Sequence, residues 1–386
     1  MVCSRPGTLR ALPERAPRID RMRAAILDAV NEPLAVEDVE LADPGAGEVV
    51  VRLHASGVCH SDWNVVSGAT PNPLPAVLGH EGAGVIEAVG EGVSTVAEGE
   101  HVVLSWLPAC GSCFYCVQGR PSLCEHAMEG MFEGTLPSGA LRLSRNGTPL
   151  YHYSFLSTFA ESCIVPEECC VRIRDDAPLD VAALVGCAVM TGVGAAINRA
   201  RVEPGTTVAV FGAGGVGLSV ILGAELAGAR DIVAIDPVPY KRDLARELGA
   251  THAVDPKSDD PAAVLRELTD GRGADYAFDS AGYPGVVTQA YESTRRGGMI
   301  VCIGIPPVGA EANLPGPSLP RDEKIVTGSF YGSCRPHVDM PLLLDLFMDG
   351  RLPLDKLVSR TYELDDVNDA FAAMNEGEVA RAVLKL

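Results

Sequence analysis

The sequence predicts an α/β protein with a β-rich part and a doubly wound parallel sheet carrying helices on both faces. Three observations predict it. At 386 residues the chain is too long for one compact core, so two domains are expected. Residues 22–185 read as short strands broken by Gly and Pro turns, whereas residues 190–330 alternate strand with helix. A glycine-rich turn, Gly212-Ala-Gly214-Gly215-Val216-Gly217, falls at the first strand-to-helix junction of that second part.

The elements follow in chain order. Strand patterning begins near Met22 with residues 23–27 and continues at 49–53 and 83–89. Residues 207–211 form a continuous apolar strand, 215–226 a helix, 232–235 the next strand, and a helix runs through 242–248. Strands at 276–279 and 299–303 complete the alternation that implies a parallel sheet. Helices around 342–348 and 367–374 and a terminal strand at 382–384 close the chain.

Composition narrows the function. A formal net charge of −20 with no offsetting Lys/Arg cluster argues against a nucleic-acid surface. No apolar run reaches the roughly 18 residues that would span a bilayer, so no membrane partner is expected. Residues 1–20 are rich in arginine and proline, lack the apolar stretch of a secretory signal, and are expected to form a disordered tail, with an upstream start codon as the alternative. Clustered cysteines without a secretion signal point to metal binding in a reducing, cytoplasmic compartment.

The glycine pattern is weak alone, but here it follows a strand, opens a helix, and precedes Asp236 by nineteen residues. The glycines allow a tight turn and close backbone approach, and the helix N-terminus meets a pyrophosphate. Asp236 would accept from the ribose hydroxyls and repel a 2′-phosphate, which favours NAD over NADP. A ligand-free turn is the alternative.

Cys110-x2-Cys113-x2-Cys116-x7-Cys124 offers four soft ligands on one loop. Four thiolates suit a closed tetrahedral zinc site. An iron–sulfur cluster is the chemical competitor, but its bacterial pattern puts the fourth cysteine after three residues, before proline; here the gap is seven and Glu125 follows. Free thiols are the remaining alternative.

Cys59 in Gly57-Val-Cys-His-Ser-Asp62, His80 in Gly79-His-Glu-Gly, and Cys187 in Gly186-Cys-Ala-Val-Met-Thr-Gly192 each have a plain structural alternative. Together they make a Cys2His set, which leaves a fourth position open on zinc. Cys3, Cys163, Cys169, Cys170, Cys302 and Cys334 show no metal spacing.

With these motifs in family order and at family-like spacing, the chain resembles the zinc-dependent medium-chain alcohol dehydrogenases from about residue 23 onward. Within them it is similar to the branch of glutathione-dependent formaldehyde dehydrogenases and bacterial aryl-alcohol dehydrogenases. The resemblance implies a GroES-like catalytic domain at 21–188 and 331–386, with a Rossmann NAD-binding domain at 189–330 between them. It implies two zinc ions and NAD per subunit: catalytic zinc on Cys59, His80 and Cys187, structural zinc on the four-cysteine loop. Glu81 would approach the catalytic metal, Asp62 would orient His80, and Ser61 would take the substrate's hydroxyl proton. Lys241 would lie by the adenosine ribose, His60 and Arg381 by the pyrophosphate, and Thr191 by the nicotinamide, with Ile305 a further cofactor contact. Trp106 would wall the substrate pocket, with Tyr153 and Phe155 opposite; core packing is the alternative for all three.

Two positions depart from the family pattern. Asn64 stands where some members end a proton relay in histidine, so the proton must leave by His60, water or another route. Met128 stands where the glutathione-dependent branch has an arginine, so oxidation of S-(hydroxymethyl)glutathione ranks behind that of an apolar primary alcohol. Other readings are an alcohol dehydrogenase whose NAD never leaves, and a zinc-free binding relative of the fold, which would lack the three ligands. A homodimer is expected, built on an edge strand near 299–303, with a tetramer possible.

Overall fold

The computed structural model describes residues 19–307 and 309–386. The tail expected over 1–20 lies outside the described residues, except that 19 and 20 open the first strand, Ile19–Leu27.

Two antiparallel-rich sheets and one parallel sheet make the molecule. The first has the strand order Ala76–Val77, Ile19–Leu27, Ala35–Leu41, Leu143–Arg145, Thr148–Leu150. The second runs Cys170–Arg172, His101–Leu104, Gly82–Val89, Glu48–Val58, Arg381–Lys385, Val358–Glu363, with Ser162–Pro166 also paired to Glu48–Val58. The C-terminal strand pairs antiparallel with Glu48–Val58, Ala382 opposite Val58. That register sets Arg381 beside the segment that carries Cys59.

The third sheet is wholly parallel, in the order His252–Val254, Asp231–Ile235, Thr207–Phe211, Ala274–Asp279, Thr294–Cys302, Ile325–Gly328. Numbered along this sheet, the order is 3-2-1-4-5-6, the doubly wound dinucleotide-binding arrangement. All five residues of Thr207–Phe211 are buried, as expected of a strand covered on both faces. Each of its large apolar side chains contributes about 1.5–3 kcal/mol by leaving water.

Two expectations need correction. Thr294–Cys302 is not an edge: Ile325–Gly328 pairs with its outer side and forms the edge instead. The missing signal was short, since Ile325–Gly328 spans only four residues among charged neighbours. A continuous helix, Leu179–Ala200, is also long and apolar enough by composition to cross a bilayer. Yet 83% of its apolar window is buried inside the protein, where it forms part of the main core and links the second sheet to the parallel one. It contains two π-helical turns, Val185–Val189 and Ala195–Ala200.

Candidate active site

Three separate segments converge on one buried point. The strand Glu48–Val58 ends at Cys59, which caps the helix His60–Val66 in an extended conformation. Asp62 is fully buried in the first turn of that helix. One of its carboxylate oxygens accepts from the Cys59 backbone N–H at 3.2 Å. The other accepts from the Gly79 N–H at 3.1 Å and lies 2.9 Å from His80 Nδ1. A single carboxylate thus ties the Cys59 and His80 segments together and fixes the imidazole, leaving His80 Nε2 buried with no hydrogen-bond partner among the described residues. Cys187 arrives from the π turn Val185–Val189, and the donor atoms of Cys59, His80, Glu81 and Cys187 all lie within 4.8 Å of one another.

The electrostatics of this cluster are strong because it is dry. Contact with the Cys187 thiol, with His80 and Arg381 nearby, pulls the Cys59 thiol well below its ordinary pKa. Burial raises the Glu81 carboxyl to about 7, against the pull of Arg381. Glu81 and Arg381 form a buried ion pair, and Glu81 Oε1, 3.9 Å from His80 Nε2, has no hydrogen-bond partner among the described residues. Gly57 makes room for this pair, since a Cβ there would come within 2.1 Å of Glu81 Oε2. Two thiols, an unpartnered imidazole nitrogen and an unpartnered carboxylate oxygen are the donor set of a borderline-soft cation such as zinc.

The four-cysteine loop is the second cluster, its donor atoms also within 4.8 Å of each other. Its helices, Phe114–Val117 and Glu125–Gly130, are too short to be stable alone, and Cys113, Cys124, Ala127 and Met131 anchor the loop in the main core. Cys110 Sγ accepts from the Cys113 N–H at 3.3 Å, and Cys124 Sγ accepts from the Cys110 N–H at 3.4 Å. Backbone N–H groups, that of Ser112 first, bring the Cys110 thiol down to about 6. The neighbouring sulfurs Cys113 and Cys124 are 3.9 Å apart and unbridged, and the set fits a closed tetrahedral metal.

The glycine-rich turn opens directly onto the first cluster. Gly212 has φ +91, and a Cβ at Gly217 would lie 1.8 Å from the Gly212 carbonyl oxygen. At Gly214, which caps the twelve-residue helix Gly215–Leu226 with no side-chain cap, a Cβ would meet nothing within 4 Å. Free N–H groups under open space are what a pyrophosphate requires. Asp236 follows the strand Asp231–Ile235 and accepts from the Ala213 and Val238 N–H groups, both at 2.8 Å. The Arg381 side chain spans the gap: a Cβ on Gly215 would sit 2.3 Å from its Cδ, while its guanidinium pairs with Glu81. Thr191 lies one turn past Cys187, beside Gly192, where a Cβ would meet the Val216 carbonyl at 2.3 Å. His60 is exposed at the start of its helix, and desolvation of its ring, with Lys241 and Arg381 near, lowers its pKa. Lys241 is half-buried beside Gly377, and Ile305 is 74% exposed.

The pocket residues separate. Tyr153 meets His80 edge-on at 5.7 Å and donates to the Ser61 carbonyl at 3.1 Å, so it belongs to the cluster. Ser61 Oγ lies 3.8 Å from Cys59 Sγ. Trp106 is buried, its ring tilted by 38° against Tyr331 at 4.1 Å between centroids and edge-on to Phe330 at 5.4 Å. Phe155 packs against the helix end at Gly130, in the same core as Trp106 and Cys187. Asn64 is half-buried and Met128 is 38% exposed on Glu125–Gly130. Sequence reading missed the Glu81–Arg381 pair and the aromatics Phe330 and Tyr331. Their only signal was an aromatic pair in Ser329-Phe-Tyr-Gly332, just after the last parallel strand.

The fold and the two thiol clusters define a zinc-binding dehydrogenase, and comparison with known proteins agrees. An alcohol dehydrogenase GroES-like domain model matches residues 45–175, and a zinc-binding dehydrogenase model matches 215–349. The chain is 40% identical over 380 residues to S-(hydroxymethyl)glutathione dehydrogenase of Paracoccus denitrificans, covering 94% of this chain and 99% of that one. It is 39% identical over 367 residues to the NDMA-dependent alcohol dehydrogenase of Amycolatopsis methanolica, covering 94% and 98%. The crystal structure of benzyl alcohol dehydrogenase from Acinetobacter calcoaceticus superposes with a TM-score of 0.91 at 34% identity, covering 95% and 100%. The chain therefore belongs to the zinc-dependent medium-chain alcohol dehydrogenases and is an alcohol dehydrogenase-type oxidoreductase.

Proposed function

We propose that this chain oxidises an apolar primary alcohol, aromatic or medium-chain, to the aldehyde, and runs the reverse, with NAD as hydride carrier. One observation carries the reading: the buried convergence of the Cys59, His80 and Cys187 donors, joined through Arg381 to the glycine-rich turn. Cys59, His80 and Cys187 would hold a catalytic zinc, and Cys110, Cys113, Cys116 and Cys124 a structural one. When bound, the catalytic zinc lowers the proton affinity of an alcohol oxygen, and NAD supplies the hydride acceptor.

The rest is work for the chain's own residues. Asp62 holds His80 in one ring orientation and raises its basicity as a ligand. Ser61 takes the hydroxyl proton and passes it outward by His60 or water, because Asn64 carries none. Arg381 keeps Glu81 near the metal and its own charge near the pyrophosphate. Trp106 and Tyr153 exclude water and favour apolar substrates. Met128 offers no charge to a glutathione carboxylate. The catalytic domain comprises 21–188 and 331–386, the cofactor domain 189–330. Pairing of two Ile325–Gly328 edges, where Ile325 is 49% exposed, makes a homodimer in the cytoplasm.

The relative with the NDMA-dependent name favours a second reading, in which NAD stays bound through turnover. A panel of primary alcohols and aldehydes with added NAD+, with and without glutathione, tests both. Turnover of benzyl-type and medium-chain alcohols without glutathione is expected. Activity confined to formaldehyde plus glutathione contradicts the substrate assignment. Purified protein carrying NAD(H) and indifferent to added NAD+ selects the second reading.

A further inference from the structure

We infer that Tyr331 is a positioning residue whose hydroxyl fixes the turn bearing Cys187 and whose ring backs Trp106. The inference rests on the reading of Cys187 as a metal ligand. Tyr331 is 2% exposed and opens the short turn Tyr331–Ser333. Its hydroxyl donates to the carbonyl of Gly186, the residue before Cys187, and lies 3.4 Å from Ser105 Oγ, the residue before Trp106.

The geometry explains why such a group is needed. Gly186 belongs to the π turn Val185–Val189, and a π turn shifts carbonyls away from their usual partners four residues on. The Tyr331 hydroxyl gives the Gly186 carbonyl a donor from outside the helix, and this bond stabilises the turn in its widened form. Gly186 is also pinned from the other side, because a Cβ there would lie 2.8 Å from the Leu104 carbonyl. Tyr331 itself has little freedom. Its φ is +51, a region a bulky residue occupies only when its surroundings impose it. Its neighbour Gly332 is wedged on the same helix, where a Cβ would meet the Met190 carbonyl at 2.2 Å. One side chain therefore couples the seat of Cys187 to the width of the pocket beside Trp106, 4.1 Å from its ring.

The test uses the full chain with cobalt(II) exchanged into both metal sites, whose thiolate absorption reports ligand geometry without turnover. Tyr331→Phe keeps the ring and removes the oxygen. Its cobalt–thiolate bands are expected to shift, and kcat for benzyl alcohol to fall about tenfold while KM stays within about threefold of the wild type. Tyr331→Leu removes the ring as well and is expected to raise KM for benzyl alcohol about tenfold more than KM for ethanol. Bands and kinetics of Tyr331→Phe indistinguishable from wild type, or equal KM effects on both alcohols in Tyr331→Leu, overturn the proposal. A wild-type chain that takes cobalt only at the four-cysteine loop instead overturns the metal reading on which it rests.

Discussion

The two sulfur-rich clusters use similar donors and are assembled in opposite ways. Cys110, Cys113, Cys116 and Cys124 leave one loop, two of them half-exposed, held by short backbone N–H···S contacts within that loop. Cys59, His80 and Cys187 come from the end of a strand, the start of another and a π turn, all buried, and meet only because the second sheet and the long helix bring them together. The local cluster supports its own surroundings; the dispersed one depends on the fold and has a carboxylate, Asp62, to lock its parts. The difference teaches that the loop gathers its donors within one segment, the arrangement a structural cross-link would need, whereas the dispersed donors are gathered by the fold, the arrangement an open, preorganised site would need.

Single substitutions should separate the two. Cys59→Ala is expected to reduce kcat at least a thousandfold with the fold retained, since it removes a donor from an open site; steady-state assay beside circular dichroism reads this. Cys113→Ala is expected to act on stability instead. It should cost roughly 3 kcal/mol, lower the melting temperature by several degrees, and open residues 110–132 to protease. Comparable loss of stability in both variants would erase the distinction.

Asp62→Asn sharpens the same comparison at a smaller scale. It keeps the volume and weakens the anchor on His80 Nδ1, so affinity for the catalytic metal should fall 10–100-fold, read by chelator competition, while the loop's metal is unaffected. Asp236→Asn acts on the cofactor side. Removing its charge should raise the NADP-to-NAD ratio of kcat/KM about tenfold or more.

A pH-dependent effect comes from His152, a buried histidine outside both clusters. Burial lowers its pKa to about 4, and its Nε2 accepts from the Arg142 N–H at 3.2 Å. The folded value lies below the ordinary 6.5, so the unfolded chain binds the proton more tightly. Stability is fully present above pH 6.5, is lost as pH falls toward 4, and levels off below that, by up to about 3 kcal/mol in all. Melting temperatures of wild type and His152→Gln between pH 7 and 5 should diverge, with the variant losing less.

Legibility in the sequence followed the same division. The loop's donor cluster could be read from spacing because its geometry is local. The parallel sheet could be read because strand Thr207–Phe211 and helix Gly215–Leu226 each announce themselves by apolar run and glycine punctuation. The dispersed ligands needed family resemblance, since nothing in the segments around 59, 80 and 187 says that they touch. The Glu81–Arg381 pair was invisible for the same reason: 300 positions separate its partners, and only the antiparallel register of Arg381–Lys385 on Glu48–Val58 joins them. The edge strand was misjudged because Ile325–Gly328 is short, and the long helix because Thr191, Asn198 and its glycines punctuate the apolar run.

Metal content tests the central claim most directly. Zinc per chain, measured on the wild type, Cys59→Ala and Cys113→Ala, should be two, one and one, with activity lost in Cys59→Ala while its loop zinc remains. Near one zinc per wild-type chain, or full turnover by Cys59→Ala, would contradict the account.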